Sequence, residues 1–178
     1  MIPAIAQAVA NILVSGTSLT DTEQIDFGYP GLDSGCKPYL NLYLYEIQET
    51  PKPYPPVPPY TQTHPTATAQ PLHWFNAIFV LTARDHTTLG EHHLLSESLT
   101  MLLQHPCIPT AFLSPAFKHY GELPLSVAPM TLMAQSTFWS VIGIPLQPAL
   151  QIIVAIPFEV PTLQRPSLAE THLPHAPP

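Results

Sequence analysis

Residues 1–158 predict an α+β domain on a mainly antiparallel sheet, with two principal helices. Three observations carry that prediction. Tyr39 to Gln48 alternates as a strand does. Ile2, Ile5, Val9, Ile12 and Leu13 recur at helical spacing. Two runs, His73 to Thr82 and Gln147 to Phe158, are nearly all apolar and read as core strands.

In chain order, the first helix has one apolar face, almost no charge, and Gly16 as its stop. Gln24 to Tyr29 alternates and reads as a short strand, after which Pro30-Gly31 and Ser34-Gly35 mark turns. Along Tyr39 to Gln48, Leu40, Leu42, Leu44 and Glu46 fall on one side. Tyr39, Asn41, Tyr43, Tyr45 and Ile47 fall on the other. One apolar face and one tyrosine-rich face suit a sheet whose second side meets something other than bulk water.

Residues 50–71 change character. Thr50 to Tyr60 is polyproline-like and a Thr/Ala/Gln stretch follows to Pro71. Proline lacks the ladder donor, so this segment is excluded from a central strand. It reads as a stiff surface loop, with a docking arm for a neighbouring subunit as the alternative. His73 to Thr82 then supplies a central strand. Thr88-Leu89-Gly90-Glu91 fits a capping box and opens a helix through Leu95, Leu99, Leu102 and Leu103, ending near His105-Pro106. Leu123 to Met130 predicts a short strand, Leu132 to Val141 a short helix carrying Phe138 and Trp139, and Gln147 to Phe158 the last strand. Residues 159–178, with five prolines, predict a C-terminal tail.

Composition bounds the function. Of 178 residues, 46% are apolar and only 10% charged, below the usual charged share, as in proteins that bury surface against partners. The 24 prolines far exceed the typical share of about 5%. The net charge of −7, with five scattered Lys and Arg, excludes nucleic acid as a natural partner and serves anionic membranes no better. Met1 to Val14 lacks the basic start of a signal peptide, and no run approaches the roughly 20 residues of a membrane span. Cys36 and Cys107 read as free thiols, giving a cytoplasmic expectation.

Chemistry has little to stand on. Asp85, His86, Glu91, His92 and His93 form the densest ligand-type group, but adjacent helical positions diverge by about 100° and the His-Glu-x-x-His spacing is absent. No Gly-x-Ser-x-Gly elbow occurs, and Cys107 beside His105 reads as a small packed group between prolines. Seven glycines form neither a phosphate loop nor a dinucleotide fingerprint. No enzyme, no cofactor and no metal is expected. Phe138 and Trp139 read as core staples for the short helix.

Three segments taken together carry a resemblance: Leu40 to Gln48, the helix ending Leu102 to Pro109, and Phe138 to Pro157 with its Gly143-Ile144-Pro145 turn. In this order and spacing they resemble the N-terminal domain family of tube terminator, or cap, proteins. Those proteins belong to contractile injection systems of the antifeeding-prophage and Photorhabdus virulence cassette type. The family is similar in fold to phage tail terminators. The resemblance implies a structural cap: a hexameric ring that ends the inner tube and anchors the last sheath ring, with tube and sheath proteins as partners. Its rivals are a baseplate or adaptor component and, from another class, a small metal-dependent hydrolase using Asp85, His86, Glu91 and His92. Interface candidates are Tyr39, Tyr43 and Tyr45 on the strand, Pro55, Pro56 and Tyr60 in the loop, and Glu159 and Arg165 at the tail. Tyrosine is favoured in interface cores, and extended arms add strands to neighbours.

Overall fold

A computed structural model describes residues 1–31, 37–51 and 72–159. Among the described residues three α-helices, α1 (Ile2–Gly16), α2 (Thr88–Gln104) and α3 (Leu132–Ile142), accompany a six-stranded sheet. The strands are β1 (Ile25–Asp26), β2 (Tyr39–Thr50), β3 (Leu72–Arg84), β4 (Cys107–Ile108), β5 (Leu123–Ala128) and β6 (Leu150–Glu159), in spatial order β1-β2-β3-β6-β5-β4. Among these described strands β1 and β2 run parallel and the other pairs are antiparallel. The α+β architecture on a mostly antiparallel sheet is thus the predicted one.

The long strands β2, β3 and β6 form the centre. Leu42 pairs with Leu81, and Phe79 is flanked by Leu44 and Ile152. These residues share one face with Leu40, Ala77, Val154, Ile156 and Leu125. Against it α1 buries Ile5, Ala8, Val9, Ile12 and Leu13 while α2 buries Leu94, Leu95 and Leu102, making one continuous core. The apolar stripe at helical spacing drives this docking, since burying each large aliphatic side chain is worth about 1.5–3 kcal/mol. Gly16 lets the two helices meet closely: a Cβ there would overlap the Met101 side chain of α2.

The opposite face is covered only in part. There α3 lays Phe138 and Trp139 on Val80, with Tyr43, Met130, Ile142, Ile144 and Ala149 packed around them. The two aromatics are buried at 5% and 3% exposure, as staples for this helix. The Thr131 hydroxyl caps α3 by accepting from Ala134 N at 3.2 Å, and Gly143 ends it in the left-handed region at φ 77°.

Several boundaries differ from the sequence reading. The strand predicted for Gln24 to Tyr29 shrinks to Ile25–Asp26. Asp21 and Gln24 close a capping box around a 3₁₀ turn, and the Asp26 carboxylate accepts from Gly28 N at 2.9 Å. The cap of α2 is Thr87 rather than Thr88. The Thr87 hydroxyl accepts from Gly90 N at 3.0 Å, leaving Glu91 to pair with Arg84 at 3.4 Å. Beyond the end of α2, Cys107 and Ile108 pair with Pro124 and Leu123 as a strand the helical reading did not contain.

The alternation of β2 is interrupted. Leu44 pairs with Phe79 and Glu46 with Ile78, so Tyr45 is an extra residue at a bulge. Beyond it the parity reverses: Ile47 lies opposite core residue Ala77, and Glu46 shares the tyrosine side. The sequence reading had placed these two the other way round.

Candidate interface surface

The tyrosine side of β2 is the seat of α3. Tyr43 meets Tyr29 edge-on at 6.0 Å between ring centroids and Phe138 at 6.3 Å, while Tyr45 stands edge-to-face on Phe138 at 5.2 Å. Phe138 in turn meets Trp139 at 5.0 Å and 74°. The Tyr29 hydroxyl donates to the Ile142 carbonyl at 3.1 Å, tying the loop after β1 to the end of α3. The rings attract edge to face, so this wall is an internal mount. Of the three strand tyrosines, Tyr39 is buried, Tyr43 is half-buried and Tyr45 is exposed, at 38%.

Beneath this wall Asn41 is buried. Its amide donates to the Asp26 carboxylate at 3.1 Å and to the Gly28 carbonyl at 3.0 Å, and its own Oδ1 finds no partner among the described residues. The two bonds hold β1 and the following turn against β2.

Glu159, the last residue of β6, is exposed and faces His119 at 3.9 Å. Tyr120 bonds to the same carboxylate, and burial with that anion pushes the Tyr120 hydroxyl up to about 12. Pro55, Pro56, Tyr60 and Arg165 lie outside the described residues, as do most of the 50–71 loop and the tail beyond Glu159.

The residues of the hydrolase rival are engaged elsewhere. Asp85 accepts from His86 N at 2.7 Å, Glu91 holds Arg84, and His92 points into solvent. Among the described residues no group of three or more His, Cys, Asp and Glu gathers at ligand distance. The Cys107 thiol is pushed up by burial and by the nearby Glu122 charge, the direction opposite to that of a nucleophile.

What the sequence reading missed is the outer side of α3. Leu132, Met133 and Val141 are 85%, 80% and 79% exposed, and Leu146 beyond the Gly143 turn is exposed as well. A signal for it existed: from Leu123 to Phe158 the chain carries no Asp, Glu, Lys, Arg or His. A solvent-facing helix without one charge is an anomaly for a surface element.

The family model described as Pvc16 N-terminal domain matches residues 4–168. Among solved structures, the fold is similar to the sheath/tube terminator of the PVC extracellular contractile injection system in its extended state. That likeness has a TM-score of 0.65 and 15% identity, covering 100% of this chain and 63% of the other. The anti-feeding prophage cap, a tube-terminating cap, is similar at TM-score 0.54 and 13% identity, over 89% of this chain and 54% of that one. The chain therefore spans less than two thirds of the length of either structure. No curated protein matches it. Among the described residues, no helix is long and apolar enough to cross a membrane.

Proposed function

Because the chain belongs to the Pvc16 N-terminal domain family, we propose that it is the terminator of a contractile injection system. In this reading it caps one end of the inner tube, ties the last sheath ring to it, and acts by binding alone. The observation that carries the proposal is the family match along residues 4–168, supported by fold likeness to two terminators of such particles. The chain is made in the cytoplasm and joins a phage tail-like particle as a ring, hexameric by the resemblance. Low charge and an uncharged exposed helix fit a subunit that is buried on assembly. A ring of identical subunits needs two different patches on each, and α1 and α3 stand on opposite faces of the sheet to supply them.

Electron microscopy of particles assembled without this chain tests the proposal. A terminator leaves overlong, ragged or sheathless tubes when it is absent. Uniform particles of normal length would overturn the assignment and favour a baseplate or adaptor position for the same fold.

A further inference from the structure

The outer edge of β2 is open. β1 pairs with it at Leu40 and Asn41, and among the described residues no strand lies beside Leu42 to Glu49. In such a stretch every second residue turns its backbone N–H and C=O away from β3, leaving a row of donors and acceptors without a ladder. Residues 45–49 are all exposed. At the lower end of the row, the turn after β1 adds two aromatic rings. The Gly28 carbonyl accepts from the Asn41 amide and the Tyr29 ring meets Tyr43, which brings Phe27 and Tyr29 to the edge. Phe27 and Tyr29, with Tyr45 and Ile47 of β2 itself, stand 38–45% exposed. Large apolar side chains thus line an open strand.

We infer that this edge takes up an extended, basic segment of another polypeptide as an added strand. The open backbone row asks for an extended partner, because that shape pairs with successive N–H and C=O groups. The apolar side chains give alternate residues of that partner a surface to rest on. Charge decides the rest. The Glu46 carboxylate has no partner among the described residues, and Glu49 is met by His73 at 3.1 Å. Neither β2 nor β3 before Arg84 holds a Lys or Arg. A second copy is the wrong occupant: edge against edge sets the Glu46 and Glu49 of both copies on facing strands, and like charges across strands repel. The Tyr45 bulge twists the edge, a further guard against a copy of itself. The chain's own residues 160–178 fit no better, with five prolines that lack the ladder donor and a single Arg165 offset by Glu170. A partner strand carrying Lys or Arg satisfies backbone and charge together.

The contact belongs to the chain alone and is read without particles, so it stands or falls apart from the terminator role. A library of random peptides about nine residues long, the length of a strand, is selected on the immobilised full chain. The best binder is then followed by amide hydrogen exchange. Selected peptides should be free of proline and rich in Lys or Arg and in β-branched residues, and they should slow exchange at residues 42–49. Glu46→Lys combined with Glu49→Lys should weaken such a peptide about tenfold and select acidic ones instead. Both positions are exposed, so thermal unfolding should be unchanged. Neutral or acidic peptides selected by the wild-type chain, protection at another surface, or no binder at all would overturn the added strand. So would slow exchange at residues 42–49 in the chain alone, which would mean that its own residues or a second copy already cover the edge.

Discussion

Ser18 and Glu97 are 79 residues apart, yet a single carboxylate oxygen of Glu97 accepts from both the backbone N and the Oγ of Ser18 at 2.8 Å. The pair locks the exit of α1 onto the middle of α2, one turn from where Gly16 admits Met101. His93 adds a contact at 3.2 Å on the other carboxylate oxygen. Burial pushes the Glu97 carboxyl up, but the Ser18 bonds and the neighbouring His93 outweigh it, and the group titrates below its usual 4.5. Its folded value lies under its unfolded one, so the stabilisation is complete above that usual value and drains as pH falls through the folded one. Glu97→Gln should lose about 1 kcal/mol at neutral pH, and the gap to wild type should close in acid. Urea unfolding of both at pH 7 and pH 3.5 checks this.

Gly143 ends α3 at φ 77° and ψ 20°, with no atom of the described residues within 4 Å of where a Cβ would stand. The cost of Gly143→Ala is therefore backbone strain alone, about 1 kcal/mol. Gly143→Asn should cost less, since asparagine tolerates this region. Equal losses for the two in thermal unfolding would contradict the conformational account.

Phe138 is the hinge of the aromatic mount. Phe138→Ala should cost about 3–5 kcal/mol by leaving a cavity between α3 and β3. Tyr45→Ala alone removes one edge-to-face contact, worth about 1 kcal/mol. In the Phe138→Ala background the Tyr45 effect should largely vanish, a coupling that a double-mutant cycle in urea measures.

Tyr120 should resist ionisation. Its hydroxyl is held up to about 12 by burial, the bond to Glu159 and that group's charge. The neutral form is the one favoured by folding. The contribution to stability is whole below the ordinary value of 10 and disappears as pH climbs through about 12. Ultraviolet difference titration should show Tyr120 ionising late in wild type and earlier in Glu159→Gln.

The framework was legible where one rule decides an element. Apolar period and run length gave α1, α2, α3 and the central strands, because each buries a continuous stripe or band. The Tyr45 bulge was not legible, since an alternating pattern looks the same whether or not one residue is unpaired by its neighbour. The Cys107–Ile108 strand exists through its pairing with Leu123 and Pro124, which no local pattern between two prolines announces. The tyrosine side was legible as a surface that avoids bulk water. That the chain's own α3 occupies it, via Phe138 on Val80, is a tertiary fact. Phe138 and Trp139 mark the inward side of α3, whereas Met133 and Val141, as apolar as they are, stand exposed on the other side of the same helix with no charge to mark it as surface.

The position of β6 bears on how this protein is made. The last strand of the described chain lies at the interior of the sheet, between β3 and β5. As the polypeptide leaves the ribosome, β2 and β3 can form their hairpin early, but Phe79 and Ala77 lack their second neighbours until residues 150–159 emerge. A prematurely terminated copy is thus missing its middle instead of an edge. It exposes apolar strand to proteolysis and cannot present a finished helix surface. Synthesis itself thereby screens chains, because a copy that stops before residues 150–159 lacks the central strand its core is built around.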